Sequence, residues 1–251
     1  MAKRTIKLLL EYDGTDFVGW QYQENGRSVQ NVIETGLSQI LREEIRIVGA
    51  GRTDSGVHAK GQVASFQTES SLNCHGIARG LNGVLPGDVV ALSAEEVSDG
   101  FNARYDARSR RYEYVIRNRP TALSRKFCWT PGYKLDISLM EQCTKELMGL
   151  HDFASFCKSE SEVSHHNCTI YSAAWTCPDD STIVFDITAD RFLHGMVRTL
   201  VGTMVDIGRG YRAANDLKII LETKDRRAAG MAAPPQGLFL SAVNYEDSSR
   251  A

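Results

Sequence analysis

The order of apolar and polar positions predicts six elements in the first hundred residues. Short apolar runs bounded by glycine, proline or aspartate predict strands, and apolar positions recurring three and four residues apart predict helices. Ser28 can cap the first helix, which the pattern continues to about Arg42. The predicted strands are Thr5–Glu11, Ile45–Ala50, Gly61–Phe66 and Val89–Ser93, and the second predicted helix is Asn73–Val84. The resulting order, β-α-β-β-α-β, is the split βαβ arrangement of a ferredoxin-like unit.

The second half of the chain shows a similar pattern. Asp136 or Ser138 can cap one helix, and Gly208 can end a later one. The predicted strands are Arg110–Ile116, Thr169–Cys177, Thr182–Thr188 and Leu238–Tyr245, and the predicted helices are Ile137–Leu150, Phe192–Ile207 and Ala213–Thr223. We therefore predict an α+β fold of two ferredoxin-like halves, 1–104 and 105–251. They would share a mixed, largely antiparallel central sheet flanked by helices.

Composition limits the class of protein. The 251 residues are 42% hydrophobic and 24% charged, which is ordinary for a soluble globular protein. No apolar run approaches the roughly 20 residues that span a bilayer. The N-terminus carries two early basic residues, but its apolar stretch is short and no small-residue cleavage site follows it. We expect a cytoplasmic protein.

Six cysteines are spread through the chain without a CxxC pair, so we expect reduced thiols. One group in the second half could meet at a metal ion. It consists of Cys157, His165, His166, Cys168 and Cys177. Zinc sites built from neighbouring ligands usually have spacings of two to four residues, and that spacing is missing here. We expect no metal, and this group is the alternative to test.

Charge is unevenly distributed along the chain. The formal net charge of −2 argues against a general polyanion binder, yet Phe101–Lys126 contains eight basic and two acidic residues. Such a run is either a solvated strand face or a nucleic-acid surface. Arginines interleaved with tyrosines favour nucleic acid, because arginine makes forked phosphate contacts and aromatic rings stack on bases. Arg110 and Arg111 are the candidate contacts within this run.

A glycine-bounded segment, GRTDSG at 51–56, lies between two predicted strands. Flanking glycines permit a sharp turn that would present Arg52 and Asp54. Aspartate in such a turn often hydrogen-bonds its own backbone, which is a purely structural role. Catalytic and binding residues also concentrate on loops of this kind. The spacing alone leaves both interpretations open.

Five short sequence motifs, which follow one another along nearly the whole chain, decide between the structural and the catalytic interpretation of this turn. They are YDGT at 12–15 with GWQ at 19–21, GRTDSGVHA at 51–59, FNAR at 101–104 with ARSRRYEY at 107–114, DF at 152–153 with SF at 155–156, and FLH at 192–194 with MVR at 196–198 and GLFL at 237–240. Together they resemble the motifs of the tRNA pseudouridine synthase A (TruA) family. The pair His194-Gly195 is a mild departure from that pattern.

The resemblance implies an isomerase that converts uridine to pseudouridine at positions 38–40 of the tRNA anticodon stem-loop. It implies Asp54 as the catalytic nucleophile, with Arg198 paired to it. Tyr112 would stack on the flipped-out target base, Arg52 would contact RNA, and Leu238 would line the uracil pocket. The first half would carry the catalytic loop and the second would complete the active site. The resemblance also implies a homodimer whose subunits share one tRNA.

The chemistry leaves three routes for Asp54. Its carboxylate could attack the ribose C1′, add to the uracil ring or remove a ribose proton. Isomerisation needs neither a redox partner nor an energy source, and no dinucleotide, P-loop or HExxH motif is present, so we expect no cofactor.

Two rival functions remain. One is a nucleoside or glycoside hydrolase, which usually needs a second carboxylate, and Ala50–Phe66 contains no acid besides Asp54. The other is a non-catalytic RNA-binding protein, which would explain the arginines but not the Asp54 turn.

Overall fold

The computed structural model describes residues 3–158 and 164–246. It divides into two compact units, Met1–Arg108 with Leu240–Ala251, and Ser109–Phe239. Both units combine helices with strands, so the predicted α+β class is confirmed. The ferredoxin-like description of the halves and their division after residue 104 stay predictions. None of the helices among the described residues is long and apolar enough to cross a membrane.

The first unit follows the predicted order of elements. These are β1 (Arg4–Tyr12), α1 (Val29–Leu41), β2 (Val48–Gly49), β3 (His58–Thr68), α2 (Cys74–Asn82) and β4 (Val89–Val97). Strand β1 lies between β4 and β3 and is antiparallel to both, while β2 pairs with β3. Ile6, Leu8 and Leu10 alternate along β1 and are fully buried, which makes this strand the centre of the unit's core.

The second unit contains one strand more than predicted. Its elements are β5 (Ser109–Arg117), α3 (Ile137–Lys145), β6 (Gly149–Asp152), β7 (Asn167–Asp179), β8 (Thr182–Ala189), α4 (Met196–Gly208) and α5 (Asp216–Thr223), and 3-10 turns lie at Ala154–Phe156 and Pro235–Gly237. The strand order is β5-β8-β7-β6, in which β8 is antiparallel to β5 and to β7, and β6 is antiparallel to β7. Strand β9 (Leu238–Asn244) begins at the end of this unit, and its residues from Leu240 onward belong to the first unit.

Helices α1 and α3 begin directly after capping residues that the sequence predicted. The Ser28 hydroxyl accepts a hydrogen bond from the backbone N–H of Asn31, at 3.3 Å. Of the two candidates for α3, Asp136 is the cap, because its carboxylate accepts from the N–H of Leu139 at 3.2 Å. Each cap satisfies an amide that the helix leaves without a partner. These local signals depend only on neighbouring residues, which is why they could be predicted.

Several predicted elements are wrong in extent. Ile45–Ala50 is a strand only at Val48–Gly49, because the N–H of Ile47 donates to the buried Glu34 carboxylate at 3.0 Å rather than to a strand. The helix predicted over Ile137–Leu150 ends at Lys145. Gly149, the first residue of β6, adopts a left-handed φ of 87°, which a helix running to Leu150 would not allow.

The helix predicted over Phe192–Ile207 begins four residues later, at Met196. The residue before it, Gly195, has a left-handed φ of 72°, and the N–H of Met196 donates to the carbonyl of Leu193 at 3.1 Å, so a turn precedes the helix. The helix predicted from Ala213 begins at Asp216. These shifts place Phe192 outside α4, where its ring is available to pack against a strand.

Candidate active site

Asp54 lies in the first unit, on the turn that joins β2 to β3. The backbone N–H of Val57 donates to the carbonyl of Asp54 at 3.2 Å, and Gly56 has a left-handed φ of 75°. Side chains along the turn alternate in burial: Arg52 is exposed, Thr53 is buried and Asp54 is half-buried. The turn therefore presents Asp54 and Arg52 outward while Thr53 anchors it below.

A buried group of polar side chains supports this turn. The hydroxyls of Tyr12 and Thr53 share a hydrogen bond of 2.8 Å, and the Gln62 amide donates to the carbonyl of Gly51 at 2.8 Å. Burial raises the pKa of Tyr12 well above its ordinary value, and its hydrogen bonds with Thr53 and Gln62 oppose that rise. The hydroxyl therefore stays protonated. Sequence reasoning missed Gln62, whose only signal is a polar residue within an apolar strand.

The loop after β1 packs closely against the other side of the turn. Backbone N–H of Trp20 donates to the carbonyl of Thr53 at 3.0 Å, and the Ser55 hydroxyl donates to the carbonyl of Phe17 at 3.1 Å. A Cβ at Gly19 would lie 2.8 Å from the Thr53 oxygen, and Gly19 has a φ of 119°. Two sequence blocks that are far apart along the chain thus form one packed structure around Asp54.

His58 completes the support at the start of β3. Its side chain is buried, and its Nδ1 accepts from the backbone N–H of Gly14 at 3.0 Å. The same nitrogen lies 3.1 Å from a carboxylate oxygen of Asp13, which also accepts from the N–H of Thr15. Through Nδ1 the ring thus contacts both residues that begin the loop after β1. His58 therefore holds the loop after β1 in place.

Tyr112 lies in the second unit, on β5. Its side chain is 8% exposed, and its ring meets the ring of Phe192 edge-on, with centroids 5.1 Å apart. Tyr114 lies two residues on and therefore on the same face. Tyr114 is fully buried, and its hydroxyl donates to the carbonyl of Pro234 at 2.7 Å. The Tyr114 hydroxyl is thus used within the protein, and the functional role of Tyr112 stays a prediction.

Arg198 and Leu238 lie next to the same strand. The guanidinium Nε of Arg198 donates to the carbonyl of Ala233 at 2.8 Å, which ties α4 to the segment before Leu238. Burial raises the pKa of Tyr114, and the positive charge of Arg198 opposes the rise. Leu238 is buried directly after a turn that packs on Tyr114. Arg198 and Leu238 thus belong to elements that pack on one another or on Tyr114, and their roles at a site with Tyr112 stay predictions.

The candidate RNA contacts Arg110 and Arg111 are neighbours on β5 and point to opposite faces of the sheet. Arg110 is on the face of Tyr112 and donates to the backbone carbonyl of Asp190 at 2.8 Å. Arg111 pairs with Asp186 at 2.6 Å, and that hydrogen bond raises the pKa of Arg111. The two arginines cannot act as one flat surface, and their roles in binding stay predictions.

The cysteine and histidine group does not converge. Cys168 and Cys177 lie nine residues apart on β7, which places them roughly 30 Å from each other along an extended strand. Burial raises the pKa of Cys168 to about 12, so its thiol stays protonated. Within residues 3–158 and 164–246, no three His, Cys, Asp or Glu side chains are grouped to hold a metal ion.

The sequence matches the family model described as tRNA pseudouridine synthase over residues 9–106 and 143–246. A tRNA pseudouridine synthase A from Exiguobacterium sp. is 42% identical over 97% of this chain and 98% of its own length. The proteins of the same name from Thermoanaerobacter sp. and Myxococcus xanthus are 40% and 41% identical, covering 96% and 98% of this chain and 100% and 94% of their own.

The likeness to solved structures is weak. A chain from a Cbf5-Nop10-Gar1 complex is 10% identical with a TM-score of 0.36, over 96% of this chain and 59% of that one, and carries no argument. The sequence relatives decide the assignment: with about two-fifths of its residues shared over nearly its whole length, the chain belongs to the tRNA pseudouridine synthase A family, a family of isomerases.

Proposed function

We propose that this protein converts uridine to pseudouridine at positions 38–40 of the tRNA anticodon stem-loop, with Asp54 as the nucleophile. The observation that carries the proposal is the Asp54 turn, in a chain of this family. A half-buried carboxylate stands on a turn that is fixed by the Tyr12–Thr53 and Gln62–Gly51 hydrogen bonds. Directional bonds of this kind hold a reacting group in one geometry, which is a large part of catalysis.

The reaction needs an ionised carboxylate. Asp54 attacks the ribose C1′, adds to the uracil ring or removes a ribose proton, and each route begins from the anion. An aspartate covered by a substrate base loses solvation, which disfavours the anion unless a cation compensates. Arg198 supplies that positive charge in the proposal, and Arg52, exposed on the same turn as Asp54, contacts the RNA. No cofactor takes part.

The target base must leave its stack before it reaches Asp54. Extruding it costs a few kcal/mol, which stacking and backbone contacts must offset. Tyr112 stacks on the extruded base, and the T-shaped contact with Phe192 fixes the orientation of its ring. Leu238 lines the uracil pocket, and Arg110 and Arg111 add contacts to the RNA. The active protein is a cytoplasmic homodimer in which one tRNA contacts both subunits.

Tritium release from tRNA labelled at uracil C5 tests this function. Isomerisation replaces the C5–H bond with a C5–C1′ bond, so tritium appears in water and no free base forms. A hydrolase would release free uracil, and a non-catalytic RNA-binding protein would release neither. Reverse transcription after carbodiimide treatment locates the product, and pseudouridine outside positions 38–40 would contradict the proposed site on the tRNA.

A further inference from the structure

The segment after β5 concentrates positive charge without opposing acids. Asn118–Leu135 contains four basic residues and no aspartate or glutamate. Three of them lie within eight residues and are exposed, namely Arg119, Arg125 and Lys126. Between them Leu123 is 93% exposed. We call residues 118–127 the basic loop.

The cations of β5 bond to distant parts of the chain, whereas Arg125 of the basic loop bonds to the carbonyl of Ala122 within its own loop. Arg111 pairs with Asp186 at 2.6 Å, and Arg117 donates to the Thr182 hydroxyl at 2.6 Å. No carboxylate of residues 3–158 or 164–246 forms an ion pair with a basic-loop cation. A guanidinium already bound to a carboxylate has less to gain from a phosphate. The net positive charge of Phe101–Lys126 therefore overstates how much charge β5 has available to bind a polyanion.

The basic loop is also held in shape by its own hydrogen bonds. The N–H of Ser124 donates to the Thr121 hydroxyl at 3.2 Å, and the N–H of Phe127 donates to the carbonyl of Ser124 at 2.8 Å. At its base, the N–H of Asn118 donates to the carbonyl of Ser181 at 3.1 Å. A loop that is already ordered loses less conformational entropy when it binds.

We propose that the basic loop binds the phosphate backbone of tRNA and supplies more of the electrostatic affinity than β5 does. The inference rests on the proposed function for the identity of the polyanion. Arginine forks suit phosphate oxygens, and Lys126 acts as a point charge. One Nη of Arg125 donates to the carbonyl of Ala122 at 2.6 Å, which fixes the guanidinium while leaving its other donors for a phosphate.

The test compares three variants of the full-length protein. The loop variant carries Arg119→Gln, Arg125→Gln and Lys126→Gln. A matched control removes three exposed charges from helices, with Arg79→Gln, Lys145→Gln and Lys218→Gln. The strand variant carries Arg110→Gln and Arg111→Gln. The affinity of each for a tRNA transcript is measured against potassium chloride concentration, and circular dichroism verifies folding.

Each lost phosphate contact reduces the slope of log affinity against log salt by about 0.9 on duplex and about 0.7 on single-stranded RNA. We expect a reduction of about two to three units in the loop variant and about one or less in the strand variant. The control should keep the wild-type slope. A loop variant with the slope of the control, or a strand variant with the larger loss, would overturn the inference.

Two further experiments complete the test. One distinguishes the effect of charge from that of loop structure, and the other distinguishes this inference from the proposed function. Arg119→Lys, Arg125→Lys and Lys126→Arg together keep the charge and should keep the slope, so a loss here means that the loop acts through its shape. Single Arg119→Gln and Arg125→Gln variants, each expected to lose about one unit, replace the triple variant if it misfolds. Wild-type protein that binds tRNA but forms no pseudouridine would sink the proposed function and leave the loop result standing.

Discussion

Each unit places a buried tyrosine beside a candidate functional residue, and the two hydroxyls are used differently. Tyr12 lies beneath the Asp54 turn and bonds to the side chain of Thr53. Tyr114 lies beside Tyr112 and bonds to the backbone carbonyl of Pro234. The first bond fixes the turn that carries Asp54, the proposed nucleophile. The second fastens a connecting segment, while the ring of Tyr112 is positioned by packing against Phe192.

The difference follows from what each region must do. A nucleophile requires placement within a fraction of an ångström, which directional hydrogen bonds provide. A ring that stacks on a base tolerates sliding, because stacking is weakly directional and packing suffices to hold it. We therefore propose that Tyr12 positions the Asp54 turn for catalysis and that Tyr114 contributes to stability.

The largest expected effect tests whether Asp54, on the turn that Tyr12 supports, is the reacting group. Asp54→Asn is nearly isosteric but removes the charge and nucleophilicity of the carboxylate, so turnover should fall at least about a thousandfold. Folding and tRNA affinity should change little. The matched control is Asp16→Asn, an exposed aspartate on the loop that packs against the turn. Equal losses in both variants would remove the assignment of Asp54.

The next effect separates the two tyrosines of β5. Tyr112→Phe keeps the stacking ring and loses the hydroxyl, so activity should fall roughly a hundredfold if that hydroxyl assists proton transfer. Tyr114→Phe should leave activity nearly unchanged and lower the free energy of unfolding by about 1 kcal/mol, because the Pro234 carbonyl loses its donor. Steady-state kinetics and urea unfolding measure both. The reverse pattern would mean that Tyr114 is the functional tyrosine.

A smaller effect tests the positioning role of Tyr12. Tyr12→Phe removes the hydrogen bond to Thr53, and we expect kcat to fall about tenfold because the Asp54 turn is less well fixed. The cost in stability should match that of Tyr114→Phe, about 1 kcal/mol. KM should be little changed. If the two tyrosine variants lose stability equally and neither loses kcat, the hydroxyls have the same structural role and the comparison fails.

The smallest effect concerns alkaline pH, where both regions should respond alike. Burial raises the pKa of Tyr12 and of Tyr114 above their value in the unfolded chain. The stability contributed by the protonated hydroxyls is therefore fully present below the unfolded tyrosine pKa of about 10 and is lost as pH rises above it. Thermal unfolding between pH 8 and 11 should show that fall. The double variant Tyr12→Phe with Tyr114→Phe should show a shallower one.

The sequence predicted the elements whose signals are local. Caps such as Ser28 and Asp136 act on amides three residues away, and strands such as Thr5–Glu11 show their own apolar pattern. The predicted extents of β2 and α3 were wrong because the distant Glu34 carboxylate takes the N–H of Ile47, and because the left-handed Gly149 does not allow a helix to reach Leu150.

The residues that support the Asp54 turn could not be predicted from local sequence signals. Tyr12 and Thr53 are 41 positions apart along the chain, and Gln62 and Tyr12 are 50 apart. No local pattern states which buried polar groups will meet across such distances. The position of the Asp54 turn could be predicted, because glycines flank it. The residues that fix its conformation could not be predicted.

The central claim is that Asp54 carries the isomerisation. The most direct measurement is pseudouridine formed per tRNA under enzyme excess, after digestion to nucleosides, with wild type and Asp54→Asn at protein concentrations that saturate binding. The account predicts conversion by the wild type with no free uracil, and no product from the variant even after long incubation. Pseudouridine from purified Asp54→Asn, above the amount that wild-type contamination explains, would contradict it.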